Sequence, residues 1–300
     1  MEETKMSFED YINQKDLKQN TQKAIIREYN KYLEFFDDIQ LFNTKLIKNN
    51  INDDDFYKTM SSKKQAVGML INYFSYLNMD KNIDAMRDLL TSINIKMNKD
   101  YKIRNTDLKK TLPPKRELLK YNLKNFKEQN YKSYMINYLL YTYNVRNLDL
   151  DIIIIKNKNL IKPNKNYLVV KNKYTEYIRD NYKTISKYGK KTHMIKSAKF
   201  NYAIREFIKN IYDHDNNEIV DDENNKNNEN NDKVEVNISL LNNKKNLTQE
   251  IIKYTYKQLS EGDIFKIFIT EKKELKHYNK LANNRGTSLD VIMKNYILNN

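Results

Sequence analysis

The sequence predicts a mainly α protein with a small antiparallel β-sheet or hairpin, an α+β chain in two domains. Three observations predict it. Apolar residues recur at three- and four-residue spacing over most of the chain, as in QKAIIREYNKYLEFF and QAVGMLINYFSYLN. β-favouring runs cluster between residues 151 and 200. Pro113 and Pro114 interrupt the periodicity and mark a new start.

From SFEDYINQ to about residue 95 the pattern is that of a small bundle of four or so helices. Ser7 is placed to cap the first, with Asp10 at the capping-box distance. Residues 96–112, KMNKDYKIRNTDLKKTL, are basic and weakly periodic, and read as a linker. Residues 113–300 read as the second domain. PPKRELLKYNLKNF opens its first helix, and YKSYMINYLLYTYNVRNLDL is a second helical run ending near NVRN. DIIII and NYLVV read as short buried strands. KYTEYIRDNYKT and KKTHMIKSAKF are two further β-favouring runs separated by ISKYG, where Gly189 supplies a hairpin loop. FNYAIREFIKNIY is helical again. Residues 213–237 are acidic and Asn-rich with little to bury, and read as a disordered insertion. From Leu247 onward the pattern is helical, in two or three pieces broken near Gly262 and Gly286.

Composition excludes several chemistries. The chain has no cysteine, so disulfides, a thiol nucleophile and Cys-ligated zinc or iron–sulfur sites are ruled out. Its three histidines, His193, His214 and His277, form no HExxH or paired spacing, so no metal site and no cofactor are expected. No run approaches the ~18 apolar residues of a membrane span, and MEETKMSFEDY has no signal-peptide core. The expectation is a soluble intracellular protein; nucleus, viral factory and bacterial cytoplasm stay open. Net charge is +15, yet residues 213–237 carry nine Asp/Glu against two Lys, a local −7. The remainder is therefore more basic still, which suits a polyanion such as nucleic acid.

Four stretches carry candidate chemistry. In YTYNVRNLDL, Arg146 follows a long apolar helix, with Asp149 three residues on. A guanidinium fixed by a carboxylate can grip two phosphate oxygens; capping the helix C-terminus is the plainer role for such an arginine. In RDNYKTISKYGKKTHMI, Lys183 precedes the turn, and Lys187, Lys190 and Lys191 crowd it. A lysine there can donate a proton if its pKa is lowered, or simply touch phosphate. In RGTSLDVIMKNYILNN, Gly286 breaks a helix and Tyr296 stands nine residues after Thr287. In SEGDIFKIFITEKK, Lys266 is the one cation near the middle of the helix.

This order resembles the tyrosine recombinase (phage integrase-like) family. The resemblance implies that residues 1–95 are a DNA-clamping core-binding domain and that the catalytic domain begins near residue 113. It implies a metal-independent DNA strand transferase that breaks and rejoins duplex DNA through a 3′-phosphotyrosine; the AT-rich composition and the acidic Asn-rich insertion would suit a virus or mobile element. Tyr296 would be the nucleophile, Arg146 a phosphate ligand supported by Asp149, and Lys183 the proton donor. Lys187, Lys190 and Lys191 would contact DNA or share the donor's role. Gly286–Thr287 stands where the family has Gly-His or Gly-Trp. The family's His-x-x-Arg motif is missing, leaving Arg285 or Lys266 as the second cation and His193 and His277 as possible substitutes. The implied partners are double-stranded DNA and three further copies of the chain, a homotetramer on paired sites, with no membrane. A DNA-binding protein of the same fold with degraded catalysis is the alternative, and an unrelated basic helical binder the third.

Overall fold

The helical periodicity becomes thirteen α-helices among the described residues, and the β-favouring runs gather into one five-stranded sheet. The computed structural model describes residues 6–35, 44–217, 236–242, 246–270 and 275–296. The chain divides into two compact units, residues 1–104 and 105–300.

The first unit holds α1 (Phe8–Gln14), α2 (Gln19–Phe35), α3 (Thr44–Asn52), α4 (Met60–Tyr76) and most of α5 (Asp80–Thr111). Its helix starts follow local chemistry. Ser7 Oγ accepts the Asp10 N–H at 3.1 Å, and Thr59 and Ser62 cap each other's backbone N–H at the head of α4. Tyr32, Ile51, Val67, Leu70, Phe74 and Met86 form the core, the buried face that the three- and four-residue spacing requires. Residues 96–111, expected as a linker, are the C-terminal half of the 32-residue α5. Lysine and arginine are good helix formers, and nothing breaks the run until Pro113.

The second unit opens with α6 (Lys115–Lys127) and α7 (Tyr131–Tyr143), followed by a 3₁₀ turn at Asn147–Leu150. Strands β1 (Ile152–Ile155), β2 (Asn166–Val170) and β3 (Thr175–Arg179) come next. A single helical turn, α8 (Ile185–Tyr188), leads to β4 (Lys191–Ile195). Then follow α9 (Ala198–Asn217), β5 (Asn237–Ser239), α10 (Leu247–Ile252), α11 (Glu261–Thr270), α12 (Leu275–Arg285) and α13 (Leu289–Asn295).

The strand order is β4-β3-β2-β1-β5, and the sheet is mixed: β1 and β2 run parallel and the other pairs antiparallel. The β3–β4 pair is the expected hairpin, with Tyr177 opposite His193 and Arg179 opposite Lys191. Its connection is longer than a tight turn, spanning residues 180–190 and including α8. Gly189 ends α8 at φ 66°, a left-handed position that glycine takes at no steric cost. One sheet face packs Ile154, Leu168 and Tyr177 against Leu139 and Leu140 of α7 and Phe200 and Ile204 of α9. The other face carries Ile155, Tyr167, Val169 and Ile178.

Of the acidic segment, residues 213–217 close α9 and Val236–Asn237 lead into edge strand β5. Residues 218–235 lie outside the described residues. The break expected near Gly262 lies just before it, between α10 and α11, where Tyr256–Gln258 form an isolated 3₁₀ turn; Gly262 itself is in the first turn of α11. Gly286 does end a helix.

Candidate active site

Helix α7 stops at Tyr143 because Asn144 adopts φ 52°, the left-handed cap that asparagine tolerates. The chain then turns sharply. Arg146 donates its backbone N–H to Asp149 Oδ2 at 2.8 Å. Asp149 is fully buried and also accepts Nη2 of the equally buried Arg179 at 2.6 Å. Tyr177 donates its hydroxyl to the Asp149 carbonyl at 2.7 Å, and Asn166 Nδ2 donates to the Leu148 carbonyl at 3.0 Å. The turn bearing Arg146 is thereby tied to β2 and β3. Burial pushes the Asp149 carboxyl upward in pKa, opposed by the guanidinium groups of Arg179, Arg146 and Arg285.

The second half of the site is the end of α12. Gly286 takes φ 66°; its N–H donates to the Asn283 carbonyl at 3.2 Å and the Thr287 N–H to Ala282 at 2.9 Å. A helix end leaves carbonyls without intrahelical partners, and here side chains from the β3–β4 hairpin satisfy them. Arg179 Nη1 donates to Asn284 O at 2.6 Å, Thr184 Oγ1 to Gly286 O at 2.6 Å, and Lys191 Nζ to Asn283 O. The two halves are held together through the hairpin.

Arg285, 1 % exposed, is the hub. Its Nη1 donates to Asn144 O at 3.3 Å, and its Nη2 to Glu261 Oε1 at 3.0 Å and to the Tyr296 hydroxyl at 3.4 Å. The guanidinium carbon lies 4.1 Å from the centre of the Phe265 ring and 5.0 Å from that of Tyr296. Tyr296 meets Phe265 edge-on at 4.8 Å, which fixes its ring. Burial raises the Glu261 pKa, against the pull of Arg285 and Arg146.

Four cations, Arg146, Arg179, Arg285 and Lys191, therefore surround two carboxylates, Asp149 and Glu261. The excess is two positive charges. Arg146 Nη1, Arg179 Nε and Arg285 Nε are buried without a hydrogen-bond partner, as are the carboxylate oxygens Asp149 Oδ1 and Glu261 Oε2. Unsatisfied charged donors in a low-dielectric setting are costly, and an oxyanion is the group that would relieve them. Lys191 is held down in pKa to about 8 by burial and by Arg179, opposed by Asp149. Its ammonium group lies within 5.5 Å of the ring centres of both Tyr182 and Tyr188.

Of the residues singled out in the sequence, Arg146, Asp149, Arg285, Gly286, Thr287 and Tyr296 converge here, with Thr287 buried directly beside Gly286. The hairpin lysine joining them is Lys191. Lys183, Lys187 and Lys190 are exposed, and Lys187 lies over the Tyr188 ring. Lys266 is on α11. His193 packs on Tyr143 with ring centres 4.7 Å apart; burial, Arg179 and Lys191 lower its pKa to about 4, so it is neutral. The side chain of His277 lies outside the described residues. Sequence reasoning missed Arg179 and Glu261. A signal existed for Arg179, an arginine in the β-favouring run TEYIR, which must pair if the strand is buried. Nothing local marked Glu261.

The sequence matches no protein-family profile and no curated protein. A search of solved structures found a crystal structure of XerA recombinase at 12 % identity, covering 98 % of this chain and 92 % of that one, with a TM-score of 0.32. A superposition this loose fixes neither family nor activity.

Proposed function

We propose that this chain is a site-specific recombinase that breaks and rejoins duplex DNA by attack of Tyr296 on a backbone phosphate. The phenolic oxygen would form a bond to phosphorus as the bond to the 5′ oxygen breaks, leaving a 3′-phosphotyrosine that a second 5′ hydroxyl can reverse. Arg285 and Arg146 would stabilise the added negative charge, each with a buried N–H that has no protein acceptor. Lys191, with its pKa held to about 8, would protonate the leaving oxygen, in preference to the exposed Lys183. The phenol would give up its proton to Glu261, which shares Arg285 Nη2 with it. Asp149 and Arg179 would orient Arg146 and the end of α12.

The observation that carries this reading is the contact of a buried arginine with the hydroxyl of Tyr296. The chain has 24 tyrosines, and this one lies against a cluster with a net positive charge and unpaired donors. The second reading, a DNA-binding protein of this kind with lapsed catalysis, is favoured by one feature. Both outer nitrogens of Arg285 already bond protein oxygens. A covalent trap separates the two. Wild type and Tyr296→Phe are incubated with nicked, mixed-sequence duplexes, denatured in detergent, and examined for protein-linked DNA. The first reading expects an adduct with wild type alone. Salt-sensitive binding to a duplex with no adduct from either protein would sink it in favour of the second.

A further inference from the structure

At the other end of the sheet lies a groove with no part in the chemistry above. It has a volume of about 950 Å³ and is built from the end of β1, the β2–β3 turn and α9. Five of its lining residues are cationic: Lys156, Lys171, Lys173, Arg205 and Lys209. No Asp or Glu lines it among the described residues, and Tyr174 and Tyr212 contribute rings. Arg205 Nη2 donates to the carbonyls of Lys171 at 2.8 Å and Asn172 at 2.6 Å, locking the turn to α9. The turn is closed on itself by Lys171 N–H to Tyr174 O at 2.9 Å. Glu176, in the adjoining strand β3, is engaged by Lys158 at 2.7 Å and by the Tyr174 hydroxyl at 3.4 Å.

The groove is separate from the Tyr296 cluster. Strand β3 begins at Thr175 beside this turn and ends at Arg179 in the cluster. At ~3.3 Å per residue, that strand alone separates them by about 13 Å.

We propose that this groove binds a nucleotide, with the cations on its phosphates and a tyrosine ring against its base. Like charges converging on one concavity repel unless an anion joins them. A flat ring beside them suits a stacked base. The volume falls within the ~300–1,000 Å³ of small-ligand sites, and a concavity braced by Arg205 fits a mononucleotide better than the convex face of a duplex. The inference is independent of whether Tyr296 is a nucleophile.

The test uses the full chain and ATP bearing an N-methylanthraniloyl fluorophore, titrated by anisotropy. The proposal expects saturable binding. It expects Lys173→Glu with Lys209→Glu to weaken that binding at least about tenfold, and Tyr212→Ala to weaken it less. Lys58→Glu with Lys81→Glu, both exposed in the first unit, makes the same charge change elsewhere and should have little effect. Binding that does not saturate, or that falls equally with the control pair, overturns the proposal. Full displacement by a duplex at equal phosphate concentration also overturns it and makes the groove a strand contact. Loss of the Tyr296 adduct with nucleotide binding intact would count against the recombinase reading alone.

Discussion

Replacing Gly286 by alanine tests the construction of the site most directly. The added Cβ would lie 2.5 Å from Thr184 Oγ1 and 3.0 Å from Tyr182 Cε2, on a backbone with φ 66°. The left-handed conformation costs an L-residue with a side chain ~1–2 kcal/mol. The Thr184 hydroxyl must leave the Gly286 carbonyl, forfeiting a bond worth ~0.5–1.5 kcal/mol net. Tyr182 cannot swing away freely, because its hydroxyl is bonded to the Gly189 carbonyl at 2.5 Å and its ring faces Arg179. Together these give about 1.5–3.5 kcal/mol of destabilisation. Urea denaturation followed by circular dichroism and tyrosine fluorescence reads it. Thr184→Ala removes both the bond and one clash, so the double variant should be less destabilised than the sum of the singles, with a coupling of ~1 kcal/mol. A Gly286→Ala protein within ~0.5 kcal/mol of wild type, or strict additivity with Thr184→Ala, would refute the close approach of the hairpin to the end of α12.

Three other outcomes are expected. Arg179→Met should cost ~3–5 kcal/mol, because it strands the buried Asp149 carboxylate, and adding Asp149→Leu should recover most of that in the same denaturation assay. Tyr296→Phe should abolish the covalent adduct while lowering stability by less than ~1 kcal/mol, since it removes only a long hydrogen bond of 3.4 Å; an adduct retained by this variant would move the nucleophile elsewhere. If the Lys191 ammonium group is the proton donor, strand transfer should decline as pH rises through about 8. Lys191→Arg should lose that limb, and Lys183→Ala should change the rate by less than about threefold. Because the folded pKa of Lys191 is depressed, its contribution to stability is present above the unfolded value and lost as pH falls through about 8. Wild-type stability should accordingly rise relative to Lys191→Met between about 8 and 10.5.

The amino-acid order alone determined the fold class. Helical periodicity depends on neighbours three and four residues apart, and alternating or continuous apolar runs mark strands, so both are written locally. Arg146 with Asp149, and Gly286 with Tyr296, were legible for the same reason, since each pair lies within a single turn or a short helix. The stretch 96–111, expected as a linker, does hold the boundary between the two units, but its helical conformation was not legible. Its charged residues hide the helix from a hydrophobic pattern although their intrinsic propensity favours one. Tertiary structure decided the rest. Arg179 meets Asp149 across 30 residues and Asn284 across 105, Arg285 meets Asn144 across 141, and Lys191 reaches Asn283 across 92. Which of several hairpin lysines loses solvent, and so has its pKa lowered, depends on what packs over it. No spacing along the chain encodes that, because burial and Coulomb interactions act through space.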